Sequence, residues 1–121
     1  MTSVRRIIVS VSDLERSLAV YSDALGLPVT WSNDEVARLD ASGVEVMLHR
    51  RPPTPGEFGV SASFGVSASF GVDDVDEAAA KAAVAGCTTV RGPGDEPWGE
   101  RQAVLHDPDG HVMCIVGPTA G

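Results

Sequence analysis

Residues 59–74 read GVSASFGVSASFGVDD, so the hexapeptide Gly-Val-Ser-Ala-Ser-Phe occurs twice in succession. Taken two residues at a time, one side is Val60, Ala62, Phe64, Val66, Ala68, Phe70 and Val72, and the other is only Gly and Ser. Successive side chains of a strand point to opposite faces, so this alternation predicts a strand with one face on a core. The Gly and Ser face has almost no side-chain volume and predicts open space in front of the sheet, the floor of a groove. The alternative is that the second copy of the hexapeptide loops out or overhangs, since strands usually run to roughly 3–10 residues.

The rest of the chain groups around this strand as two similar halves. Residues 4–11 alternate Ile7, Val9 and Val11 against Arg6, Ile8 and Ser10, a half-buried strand. The period then changes. Ser12-Asp13-Leu14-Glu15 has the form of a capping box with Ser12 as the cap, Leu14, Leu18, Tyr21 and Leu25 follow at helical spacing, and Gly26 with Pro28 stops the helix. Short strands are predicted over 28–31, 35–40 and 44–49. After a Pro-rich linker, 51–57, the order recurs: the long strand, then a helix opened by Asp73-Asp74-Val75-Asp76 with Val75, Ala79, Ala82 and Ala83 as its buried stripe and Gly86 as its end. A strand over 88–91, a loop over 92–99 and a hairpin of 101–107 with 111–116 around Pro108-Asp109-Gly110 complete it. The fold class is therefore α+β, two tandem βαβββ modules (1–50 and 58–117) within a single domain, 1–121, forming curved mixed sheets with a concave groove.

With 121 residues, one core is feasible without disulfides or metals. Nine basic against seventeen acidic residues, a net charge of −8, exclude nucleic acid and an anionic membrane surface as natural partners and suit neutral or cationic ligands. Two cysteines without metal-type spacing, no export signal and no apolar span of membrane length predict a reduced, cytoplasmic protein.

The strings VSDLERSLAVYSDALGLPV, VDDVDEAAA and PWGERQAVLHDPDGHVMCIV resemble the vicinal oxygen chelate superfamily, whose members include glyoxalase I, extradiol dioxygenases, fosfomycin-resistance enzymes and bleomycin-resistance binding proteins. The resemblance covers nearly the whole chain. It implies the tandem fold, while activity has to be argued from the site, because one scaffold hosts several chemistries and a pure binding function. Metal-dependent members hold a divalent ion with His, Glu or Gln from the first and last strands of both modules. The resemblance places those positions on Arg6, Met47, Ser67 and Cys114. A guanidinium opposes a cation, and Met and Ser are poor ligands for hard metals, so no metal and no other cofactor is expected.

What remains resembles the bleomycin-resistance type, a homodimer with a groove that sequesters a flat, drug-like and often cationic molecule. Trp31, Trp98 and Phe58 fall at a strand end, a Pro-Gly loop and the linker, rim positions where an aromatic ring closes over a planar ligand; packing of the loop and of an interface is the structural alternative. Phe64, Phe70 and Tyr21 belong to the core. Arg6 needs a partner, either Glu45 in an ion pair or a carbonyl or phenolate oxygen of the ligand, and Arg38 and Arg101 offer the same chemistry. His49 shares a face with Met47 and enters the groove, whereas His106 and His111 face solvent. Asp34, Glu35, Glu96 and Glu100 lie near the groove mouth and attract a cation. The ligand-binding set is thus Arg6, Trp31, Arg38, Met47, His49, Phe58, Ser67, Trp98, Arg101 and Cys114, with no catalytic residue. The rival is a lyase or isomerase that uses His49 and Glu45 as general bases, or a dioxygenase-like protein with an atypical metal site.

Overall fold

A strand period that switches to a helical one and back, twice, gives the observed order of elements. The structure, a computed structural model, describes residues 4–51 and 67–120. Two compact units divide the chain, 1–59 and 60–121. In the first, β1 (Arg6–Val11) leads into α1 (Leu14–Leu18), which continues as a π-helical turn (Ala19–Ala24), and then into β2 (Val29–Ser32), β3 (Val36–Asp40) and β4 (Glu45–Arg50). In the second, β5 (Ala68–Gly71) and α2 (Val75–Ala85) precede β6 (Thr88–Asp95), β7 (Arg101–His106) and β8 (Val112–Gly117). The sheets run β1-β4-β3-β2 and β5-β8-β7-β6. Each is mixed: first and last strands of a unit pair in parallel and the others antiparallel.

Each sheet buries one face against its own helix. In the first unit Ala37, Leu39, Val46 and Leu48 are buried with Val11, Leu14, Val20 and Tyr21. In the second, Ala103, Leu105, Met113 and Ile115 are buried with Val75, Ala79 and Ala82 of α2. These alternate residues pack on the helices, so the intervening ones necessarily point to the opposite face.

Several boundaries differ from the sequence reading. The cap of α1 is Asp13 rather than Ser12: the Asp13 carboxylate accepts from Arg16 N at 3.1 Å, and Ser12 Oγ instead accepts from Arg16 Nη2 at 2.8 Å. A carboxylate one residue nearer the helix makes the better cap for the exposed amides. The helix does end at Gly26, with φ at 80°. Strand β6 continues beyond Arg91 to Asp95, through Gly92-Pro93-Gly94, with shifts of register against β7. It lies at the sheet edge, where the missing amide of Pro93 leaves no gap in a ladder. Ala83 is exposed, since the narrow stripe of Val75, Ala79 and Ala82 already fills the contact, and His106 and His111 are half-buried at the hairpin rather than solvent-facing. The turn between them is tied by Asp107, 3% exposed, whose Oδ1 accepts from Asp109 N and His111 N, both at 2.9 Å. Of the alternating strand, Ala68 and Phe70 are half-buried and Ser67, Ser69 and Gly71 exposed, as the period requires; the first hexapeptide, Gly65, Val66, Phe58 and most of the linker lie outside the described residues.

Candidate functional site

Residues opposite one another in a ladder project to the same side, so the pairing register maps the helix-free face of the first sheet as three transverse rows. One row is Asp40, Glu45 and Arg6. The next is Trp31, Arg38, Met47 and Ile8. The third is Val36, His49 and Ser10. Four of the expected residues, Arg6, Arg38, Met47 and His49, thus share one face, with Trp31 at its β2 margin. Trp31 is 50% and Ile8 46% exposed, so the middle row is an open apolar strip with one guanidinium in it.

Charge on this face is organised by Glu45. Its Oε2 accepts from Arg6 Nε at 2.7 Å and its Oε1 from Arg38 Nε at 2.6 Å. The guanidinium of Arg38, and after it that of Arg6, holds the Glu45 carboxyl below the usual range against a desolvation that pushes the other way. Four residues along β4, His49 Nδ1 lies 2.9 Å from Arg51 Nη2. A guanidinium only donates, so Nδ1 accepts and the proton of the neutral ring sits on Nε2. Both groups that the sequence offers as general bases therefore have their basic lone pairs turned to arginines.

In the second sheet the helix-free face is smaller in its side chains. Ser69 pairs with Cys114 and Cys114 with Val104, while Gly71 pairs with Val116 and Val116 with Gln102. Gln102 Nε2 donates to Cys114 Sγ at 3.6 Å. Ser67 is exposed just before β5. Arg101 does not join this face: it is held through Nε (2.7 Å) and Nη2 (3.1 Å) by Asp76 in the first turn of α2 and through Nη1 (3.2 Å) by Asp95. Trp98 is 63% exposed and its indole Nε1 donates to Glu100 Oε1 at 2.7 Å, while Glu96 takes Arg91 at 3.0 Å. Two of the acidic residues expected to attract a cation are thus engaged locally. Cys87, packed 3.7 Å from Met113 Sδ, has its thiol pushed up to about 11, first by burial and then by the charge of Asp107, and is inert.

A cleft of about 500 Å³ on the helix side of the first sheet, between the start of α1 and the β2–β3 turn, has no counterpart in the sequence reading and is lined by none of the expected ligand-binding set, although Asp34, expected at a groove mouth, borders it. Two of its polar side chains serve the backbone: Asp13 caps α1, and Asn33 Oδ1 accepts from Glu35 N and Val36 N at 2.8 and 2.7 Å.

The family model described as the Glyoxalase/Bleomycin resistance protein/Dioxygenase superfamily matches residues 3–115. The chain belongs to this superfamily. Proteins of Mycobacterium bovis and Mycobacterium tuberculosis, both named "Putative glyoxylase CFP32", are 39% identical over 108 residues, 84% of this chain but 39% of their own length. The chain thus spans about two fifths of these curated relatives. A glyoxalase-related enzyme from Fulvimarina pelagi has the same fold with a TM-score of 0.81 at 20% identity, over 97% of this chain and 88% of that one. A glyoxalase I mutant from Zea mays matches with a TM-score of 0.72 at 23% identity, over 93% of this chain and 46% of its own.

The superfamily's metal positions do not fit a hard divalent ion here. Arg6 puts a cation where a ligand would stand, and its carboxylate neighbour is bridged by two guanidinium groups. Met47 and Cys114 supply soft sulfur, and among the described residues no group of three or more His, Cys, Asp or Glu is placed to hold a metal. Among the described residues, too, no helix is long and apolar enough to cross a membrane.

Proposed function

We propose that this chain binds a planar aromatic small molecule on the helix-free face of its first sheet and releases it chemically unchanged. The observation that carries this reading is the row Trp31, Arg38, Met47 and Ile8, an exposed aromatic and apolar strip flanked by polar rows whose basic atoms are already engaged. An aromatic ring, a polarizable thioether and a branched aliphatic chain in line offer dispersion and stacking to a flat ligand. Neither of the two bases that the sequence offers is free for proton abstraction, because Glu45 is doubly ion-paired and His49 directs its lone pair to Arg51.

The test uses three tricyclic probes of one shape: anthraquinone-2-carboxylate, its carboxamide and the 2-aminomethyl compound. At least one is expected to quench tryptophan fluorescence saturably, and Trp31→Ala is expected to weaken it by about 1–3 kcal/mol, the scale of one aromatic contact. Absence of saturable binding by all three removes the reading. The likeness to CFP32 favours a second reading, a glyoxalase-type enzyme. Mass spectrometry of a bound probe after long incubation, with and without added divalent ion, separates the two, since a changed mass supports the enzyme.

A further inference from the structure

We infer that the molecule held on this face carries an anionic or strongly accepting oxygen, a carboxylate or phenolate on its ring system, and that Arg6 and Arg38 grip that oxygen from either side of Glu45. The inference rests on the binding reading above and deepens it by fixing the charge of the ligand.

Both arginines reach Glu45 through Nε, at 2.7 and 2.6 Å, and neither side chain has another hydrogen bond or ion pair among the described residues. A guanidinium has five N–H donors, so engaging Nε fixes its plane and leaves the terminal amino groups available. Their side chains are 36% and 44% exposed, whereas that of Glu45 is 17% exposed. The carboxylate therefore lies beneath, as a post that orients two donors toward solvent, beside the aromatic row. Asp40, the other carboxylate of that row, turns its Oδ1 to Ser42 N at 3.0 Å in the β3–β4 turn and pairs with neither arginine. At the far end of the face His49 Nε2 adds a further donor. The carboxylates of this face are thus engaged, Glu45 by two guanidinium groups and Asp40 by Ser42 N, whereas the terminal amino groups of Arg6 and Arg38 are not.

The chain's net charge of −8 points the other way, toward a cation. Charges beyond a Debye length, about 8–10 Å at physiological salt, are largely screened, so contacting donors decide the preference and the distant acidic surface does not. Guanidinium binds carboxylate and phenolate oxygens with charge-assisted hydrogen bonds, roughly twice as strong as neutral ones, and it repels an ammonium.

Isothermal titration calorimetry with the same three probes tests this. The carboxylate is expected to bind about tenfold tighter than the isosteric carboxamide, the aminomethyl compound more weakly than both, and the carboxylate's advantage is expected to shrink as sodium chloride rises. Arg38→Gln is expected to reduce the carboxylate-to-carboxamide ratio to near unity, with Arg38→Lys restoring part of it. Arg6→Gln provides the same test if the Arg38 variant does not fold, as judged by circular dichroism. Equal affinities for the three probes, or a preference for the cation, overturn the inference and leave the binding reading standing. Failure of all three to bind overturns both.

Discussion

Glu45 shows what one side chain decides on this face. Its folded carboxyl is held low by Arg38 and Arg6, so the stabilisation it gives is present above the unfolded value of 4.5 and is lost as pH falls through the lower folded value. Melting temperatures of the wild type and Glu45→Gln should therefore differ most near neutrality and converge in acid; a difference that is flat with pH would show that the two arginines contribute nothing through that charge. The pairing of Arg6 with Glu45 was legible in the sequence, because a guanidinium on a half-buried strand must find an anion, and residues 6 and 45 fall on faces fixed by their strand periods. That Arg38 joins from the other side was not, since it depends on the register of β3 against β4, which puts Arg38 opposite Met47 and within reach of Glu45. Arg101 carried the same sequence signal as Arg38, yet it faces α2 and Asp76: one step of strand phase separates a structural clamp from a donor on the open face.

Among the elements, legibility tracked the strength of the local signal. The two helices and six of the eight strands fall where periodicity put them, within a residue or two, and of the long strand only its end, Ala68–Gly71, lies within the described residues, while two features depended on context. The second half of the first helix is π-wound, with Leu25 N donating to Val20 O at 2.9 Å, and no residue between 19 and 24 announces it. Strand β6 passes through a Gly-Pro-Gly that reads as a loop, and only its place at the sheet edge permits that. By contrast, the acidic start of α2 was plain: Asp74 caps it, its carboxylate accepting from Glu77 N at 3.0 Å, and Asp76 and Glu77 lie in the first turn. Replacing Asp74 by Ala should cost about 1 kcal/mol, the usual worth of such a cap. Chemical denaturation that gives an unchanged midpoint would mean that Asp73 or a backbone rearrangement takes over the amide.

At the scale of the molecule, the repeated permutation of strands, first beside last in both units, is the physical content of the family membership and arises from two similar strand-helix-three-strand runs. Within that plan the doubled GVSASF is an addition of six residues, an even number. Side chains of a strand alternate with a period of two, so removing six keeps the residues before 59 in phase with Ala68 and Phe70, whereas removing five puts them out of phase. Phase matters here because β5 pairs with β8 in a fixed register, Phe70 opposite Ile115 on the core side and Ser69 opposite Cys114 on the other. Deleting residues 59–64 should therefore yield a folded protein whose melting temperature stays within a few degrees of the parent, since small shifts of this size correspond to about 1 kcal/mol or less. Deleting 59–63 should lower the melting temperature more than deleting 59–64 does, because it also shifts the sequence before residue 59 out of phase with Ala68 and Phe70. If both deletions fold equally well, the alternation upstream of Ser67 does not set the register, and β5 is fixed by its pairing with β8 alone.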